Sequence, residues 1–179
     1  MAAIDLVVLG MIKAQPQSAY ELQKSVEYRN ISKWVKVSTP SIYKNVVWLE
    51  EKGYLEGDII KEGKMPEKTV YRITESGEKY FLTLMEEMSG KAVHLFLDFN
   101  AVIMSLNFVS DKEKEELLGH ISHEIGELKS QLEEKQPERQ HVPLTGRTIL
   151  DQQLRMAKAL EEWITDFKEE YLNTQKREG

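Results

Sequence analysis

Apolar residues recur along this chain at helical spacing, and residues that stop helices break the pattern at intervals. Residues 4–14 are apolar on almost every side (Ile4, Leu6, Val7, Val8, Leu9, Met11, Ile12), which predicts a helix buried nearly all round. Gln15-Pro16-Gln17 ends it. Ser18, with Glu21 three residues on, has the form of a capping box, and Ala19, Leu22 and Val26 give the second helix its inner stripe. Residues 30–37 read as a loop anchored by Ile31, Trp34 and Val35. Ser38 and Thr39 are favourable N-caps and Pro40 suits a first turn, so a third helix is predicted to run to Lys52 and to close at Gly53. Its inner face is Ile42, Val46 and Leu49, and its opposite face carries Ser41, Lys44, Asn45 and Trp48. Residues 55–61 and 69–73 read as strands about a turn at 62–66, with Thr69, Tyr71 and Ile73 alternating with Val70 and Arg72. Thr74 then caps a fourth helix beginning at Glu75.

Helix, helix, helix, hairpin, helix is the layout of a winged helix-turn-helix. A small helical domain with an ordinary hairpin would give the same order. In the winged reading the third helix enters the major groove of DNA, which is wide enough for a helix and displays a distinct edge for each base pair. Ser38 and Thr39 would then offer hydroxyls and helix-start amides to phosphate. Ser41, Lys44 and Asn45 would reach bases or nearby phosphates, and Tyr43 would bridge core and phosphate. Lys61, Lys64 and Lys68 would serve the wing. Arg29, Lys33 and Lys36 are weaker candidates, because a solvated loop would look the same.

The second half is patterned for a helical body. Residues 92–108 are strongly apolar (Phe96, Phe99, Val102, Ile103, Leu106, Phe108), which predicts a buried helix. Ser110 and Glu113 repeat the capping box, and the helix over residues 111–136 has a seam of Leu118, Ile121, Ile125, Leu128 and Leu132 in heptad rhythm. After a polar loop at 137–146, the last helix over 147–171 repeats the rhythm with Leu150, Leu154, Ala157, Ile164, Phe167 and Tyr171. Such seams need partners, and a two-fold DNA reader needs a two-fold body, so a homodimer is expected. The last helix and the 92–108 segment are expected to build the interface.

The formal charge of −6 argues against DNA until its distribution is read. Residues 1–75 hold 11 Lys/Arg against 10 Asp/Glu, so the acid lies in the second half. No acidic residue falls between Tyr28 and Leu49, where Arg29, Lys33, Lys36 and Lys44 are all basic. There is no cysteine, which removes disulfides and thiolate metal sites. No apolar run approaches the ~20 residues of a membrane-spanning helix. The first ten residues lack the basic leader and cleavage site of a secretory signal, so a cytoplasmic protein with no membrane partner is expected.

Other chemistry finds little support. His120 and His123 lie one turn apart near Glu124 and Glu127, but off the apolar seam, where a solvated face is the simpler reading and no metal is expected. No glycine-rich phosphate loop or nucleophile set occurs, so no cofactor and no enzyme activity is expected. Phe96, Phe99, Met104 and Trp163 could line a pocket for a small-molecule effector, although aromatics on helices more often serve as core.

Several stretches resemble the PadR-type regulators. Ala19-Tyr20-Glu21-Leu22 is similar to that family's Gly-Tyr-Glu-Leu, and Val37-Ser38-Thr39-Pro40-Ser41-Ile42-Tyr43 to the start of its recognition helix. Leu49-Glu50-Glu51-Lys52-Gly53-Tyr54-Leu55 resembles its helix exit, and Val70-Tyr71-Arg72-Ile73-Thr74-Glu75-Ser76-Gly77 its second wing strand. Ala19, Pro40, Val47 and Trp48 depart from the family pattern. The resemblance implies a dimeric DNA-binding transcriptional regulator, usually a repressor, often relieved by a small molecule. The second half resembles the longer, virulence-activator-like subfamily. The expected architecture is mainly α with a small β-hairpin. It comprises a winged helix-turn-helix over residues 1–85, a linker at 86–91, a coiled-coil-like helical dimerisation domain over 92–172 and a flexible tail at 173–179. The competing function is a winged-helix protein-interaction module that does not bind DNA.

Overall fold

The structure, a computed structural model, describes residues 2–61, 67–135 and 142–178. The chain forms two compact units, Met1–His94 and Leu95–Gly179. In the first unit, α1 (Ala2–Ala14), α2 (Ala19–Tyr28), a 3-10 turn (Ile31–Lys33) and α3 (Ser41–Glu51) precede a hairpin of β1 (Leu55–Ile60) and β2 (Lys68–Ile73), and α4 (Glu75–Ser89) follows. The strands pair antiparallel from Leu55 opposite Ile73 to Ile60 opposite Lys68.

The core of this unit gathers Val8, Leu9, Ile12, Leu22, Val26, Ile42, Val46, Leu49, Leu55 and Leu84. The predicted stripes of the first three helices therefore converge on one centre, as burial of apolar area requires. Ile31 and Val37 anchor the loop, while Trp34 stays exposed. The strands do not alternate as expected: Val70 and Tyr71 are both buried and Ile59 is exposed. The Tyr71 N–H donates to the Gln17 carbonyl, so β2 also has backbone pairing away from β1.

Local chemistry sets the element ends. Ser18 closes a capping box with Glu21 as predicted, and Thr74 Oγ1 accepts from the Gly77 N–H at 3.0 Å. Gly53 adopts φ +72°, a left-handed setting that lets the chain leave α3 and enter β1 at once. Thr74 and Ser76 hydroxyls both donate to the Gly53 carbonyl, each at 2.7 Å, which ties the start of α4 to that turn. The expected linker at 86–91 is helical as far as Ser89, with Gly90 as the C-cap.

The second unit contains α5 (Asn100–Ser105), a 3-10 turn (Leu106–Phe108), α6 (Asp111–Glu134) and α7 (Leu144–Glu178). Leu132 shares a cluster with Leu150, Leu154 and Ala157, while Ile121 and Ile125 meet Ile164, so α6 and α7 run antiparallel. Lys129–Glu161 and Lys158–Glu133 ion pairs follow the same order. The seams are as predicted apart from Leu128, which is exposed.

Three expectations fail here. The buried helix over 92–108 is replaced by non-helical chain and the short α5. Only Phe99, Val102, Ile103 and Leu106 share one helical stripe and reach the core, whereas Val93, Leu95, Phe96, Met104 and Phe108 fall off it and are exposed. Helix α7 begins at Leu144, inside the expected 137–146 loop, of which residues 137–141 lie outside the described residues. It also continues to Glu178, through the tail expected from residue 173. No helix among the described residues is long and apolar enough to cross a membrane.

Candidate nucleic-acid interface

Helix α3 buries Ile42, Val46 and Leu49, and that choice fixes what the rest of it presents. At roughly 100° per residue, the side opposite this stripe falls at Pro40, Tyr43, Lys44, Val47 and Glu51. All five are exposed. Lys44 is exposed as its place opposite the stripe predicts, and Tyr43, expected to bridge the core and phosphate, lies on the same outward side. Ser38 is exposed, and Thr39 and Ser41 are half-buried.

The start of α3 differs from expectation. Neither Ser38 nor Thr39 caps it through a side chain, because the helix begins at Ser41 after a turn in which the Ser41 N–H donates to the Ser38 carbonyl. The Ser38 and Ser41 hydroxyls lie 2.8 Å apart, and Ser41 Oγ donates to the Ser38 carbonyl at 2.6 Å. The hydroxyls therefore sit together at the helix start, bonded to each other.

Asn45 is a correction. It is 8% exposed and its amide donates to the buried Asp5 carboxylate of α1, so it belongs to the inner side of α3 and not to the outward face. Asn45 adjoins Val46 on the buried stripe, and one polar partner on α1 suffices to hold it there. Trp48 is likewise half-buried, against the core and 6.3 Å from Tyr54, with the Lys52 ammonium 5.9 Å above its ring.

Charge around this face is uneven. Arg29, Lys33, Lys36 and Lys44 are exposed and make no ion pair with the described residues. The wing lysines are engaged by the protein itself: Lys61 lies 3.3 Å from Glu67 and Lys68 lies 3.2 Å from Glu21. Lys64 lies outside the described residues.

Helix α2 exposes further aromatic and basic groups that the sequence pattern did not single out. Tyr20 and Tyr28 are exposed, and the Lys24 ammonium sits 5.8 Å from the Tyr20 ring and 3.1 Å from Glu27. The hydrogen bond that Lys24 donates to Glu27, together with the charge of that carboxylate, holds the ammonium above its ordinary range. The signal was the spacing of Tyr20 and Lys24, one turn apart on the side opposite Leu22 and Val26.

A family model described as a winged helix DNA-binding domain matches residues 19–91. Solved structures match over nearly the whole chain. Bacillus subtilis PadR in complex with operator DNA aligns with a TM-score of 0.80 at 15% identity, over 92% of this chain and 97% of that one. The same protein in complex with p-coumaric acid gives 0.76 at 14% identity, over 92% of each chain. The Vibrio cholerae virulence activator AphA gives 0.70 at 20% identity, over 96% of this chain and 99% of that one. The chain has the PadR-type fold. No curated protein sequence matches it.

The PadR-type fold extends through both units. Of the four aromatic and sulfur residues considered for an effector pocket, Phe99 and Trp163 stack at 5.8 Å, and Trp163, Phe167 and Tyr171 continue the stack along α7. Phe96 and Met104 are exposed. His120 and His123 are exposed, and no cluster of metal-ligating side chains occurs among the described residues.

Proposed function

We propose that this chain is a cytoplasmic, homodimeric transcriptional regulator that reads operator DNA through the outward face of α3. One observation carries the reading. The outward face of α3 exposes Tyr43 and Lys44 within an acid-free stretch whose four cations make no ion pair with the described residues. Those charges are available for phosphate, and release of counterions by such contacts drives association.

Lys44 reaches a base edge or the phosphate beside it, and Tyr43 stands over the backbone. Ser38, Thr39 and Ser41 supply hydroxyls at the start of the helix. Tyr20 and Lys24 extend the contact on the α2 side, where the first helix of such a motif crosses the backbone. Lys61 contributes from the wing, while Lys68 holds the wing to α2. The PadR structures with operator DNA and with p-coumaric acid support a DNA partner and a planar aromatic effector for this fold. In this chain the Phe99–Trp163–Phe167 stack is the surface suited to such an effector. Repression follows where the bound dimer blocks a promoter.

Fluorescence anisotropy tests the reading, using duplexes selected by the full-length chain from genomic fragments. The expected result is tight binding that weakens steeply with salt. Salt-insensitive or absent binding favours the protein-interaction alternative.

A further inference from the structure

Asp5 is 1% exposed, yet it makes no ion pair among the described residues. Its two oxygens accept from two different helices. Oδ1 accepts from Asn45 Nδ2 of α3, and Oδ2 accepts from the Tyr80 hydroxyl of α4 at 3.1 Å. Tyr80 in turn stacks on Tyr54 with ring centroids 4.3 Å apart, just past the C-terminus of α3. A single carboxylate on α1 therefore joins the recognition helix to the helix through which the chain leaves the first unit.

The rest of the contact between α1 and α3 is apolar, and apolar contact is non-directional. Ile42, Val46 and Leu49 hold α3 against the core but tolerate small rotations about its axis. A hydrogen bond from Asn45 to a fixed carboxylate does not. With Asn45 pinned inward, Lys44 and Val47 lie roughly 100° and 160° away around the helix, on the outward face. The pair thus sets the angle at which the reading side chains meet a groove.

Asn45 Oδ1 is buried and has no hydrogen-bond partner among the described residues. Burying an unmatched carbonyl is unfavourable, and an apolar side chain of similar size would avoid that cost. The residue is thus poorly chosen for stability and well chosen for direction.

We propose that Asp5 and Asn45 are positioning residues for DNA reading: the buried Asn45–Asp5–Tyr80 link fixes the rotation of α3, and thereby the chain's discrimination between sequences. This rests on the reading of α3 as the DNA-contacting helix. Because neither side chain faces solvent, the link changes discrimination without changing the number of phosphate contacts.

The test uses the full-length chain, a duplex that the wild-type chain selects from a random library, and an unrelated duplex of the same length. Affinity for both is measured across a salt series, with thermal melting alongside. Asn45→Leu removes the directional bond while keeping the volume. It is expected to lower the selected-to-unrelated affinity ratio by about tenfold, the scale of losing one base-pair discrimination, with the salt slope unchanged. Asn45→Asp sets two carboxylates face to face and is expected to lose the ratio as well. Adding Asp5→Asn to Asn45→Asp rebuilds the bond in the opposite sense and is expected to restore the ratio, which a purely structural role would not require. Tyr80→Phe, which keeps the ring stack, is expected to give a smaller loss. A cooperatively melting Asn45→Leu chain with an unchanged ratio overturns the proposal. If the wild-type chain shows no salt-sensitive preference for any selected duplex, the DNA reading itself fails and the proposal falls with it, a result distinct from the first.

Discussion

Lys68 of the second wing strand reaches the Glu21 carboxylate at 3.2 Å, while the other oxygen of that carboxylate accepts from the Ser18 N–H and closes the capping box of α2. One side chain thus caps a helix and tethers the wing. The backbone bond from Tyr71 to Gln17 lies beside it and serves the same end. The Ser18 N–H, then its hydroxyl, then Lys68 hold the Glu21 carboxyl below its ordinary 4.5. Because the folded value is depressed, the stabilisation is complete above pH 4.5 and is lost as pH falls through the lowered value. Glu21→Gln keeps an acceptor for the cap but cannot titrate. The wild-type chain is expected to be the more stable at pH 7, by up to about 1 kcal/mol for so exposed a pair, with the difference vanishing in acid. Urea midpoints for both chains between neutral and acid pH check this, and a difference independent of pH would contradict it.

The same pairing separates two lysines that look alike in the sequence. Lys44 makes no ion pair with the described residues, whereas Lys68 is held by Glu21. Replacing Lys44 by Ala is expected to reduce the slope of log affinity against log salt by about 1, the loss of one phosphate contact. Lys68→Ala is expected to leave the slope nearly unchanged and to loosen the wing. Salt titrations of the two variants on one selected duplex decide the matter; equal slopes would show that both lysines, or neither, meet phosphate.

The periodicity of the first half was enough to find all four helices, the hairpin and the side-chain caps of α2 and α4, because each stripe packs on the same core. Asn45 shows where that logic stops. Polar residues are placed outward by default, and nothing local to α3 reveals that Asp5, forty positions earlier, supplies a buried acceptor. Asp5 itself is hidden in a run otherwise so apolar that the helix reads as uniform. Tyr20 and Lys24 lie opposite the inner stripe of α2, so their exposure was legible from the spacing alone. In the second half, hydrophobicity without periodicity was misleading. Residues 92–108 are apolar enough for a buried helix, yet only the stretch from Phe99 to Leu106 has the spacing to form one face.

Gly77 gives a stability prediction that depends on close approach. It lies in the first turn of α4, and a methyl group there would run into the Tyr54 carbonyl and lie 2.8 Å from Ile73 Cγ1. The carbonyl is backbone, and it already accepts from the Thr74 N–H at 3.1 Å, so it cannot yield without breaking the junction of hairpin and helix. Gly77→Ala is expected to destabilise the chain by about 1–3 kcal/mol, despite the better helix propensity of Ala. Chemical denaturation measures it; an unchanged or raised midpoint would mean that α4 can shift freely.

Phe108 tests the homodimer. It is 87% exposed in the single chain, next to the fully buried Leu106, and the same unit exposes Val93's neighbours Leu95 and Phe96 together with Met104. An exposed side chain contributes little to the fold of its own unit, so Phe108→Ser should melt like the wild-type chain in its monomeric state. Covering a phenylalanine in an interface is worth roughly 1.5–3 kcal/mol, and a two-fold interface contains each residue twice. If a second copy covers this surface, the substitution should raise the dimer dissociation constant by at least about tenfold, and DNA affinity should fall with it because the two half-sites are no longer read together. Sedimentation velocity over a micromolar concentration series gives the constant for both chains. A wild-type chain that stays monomeric throughout removes the dimer, and a dimer indifferent to Phe108→Ser moves its interface to another face of the helical unit.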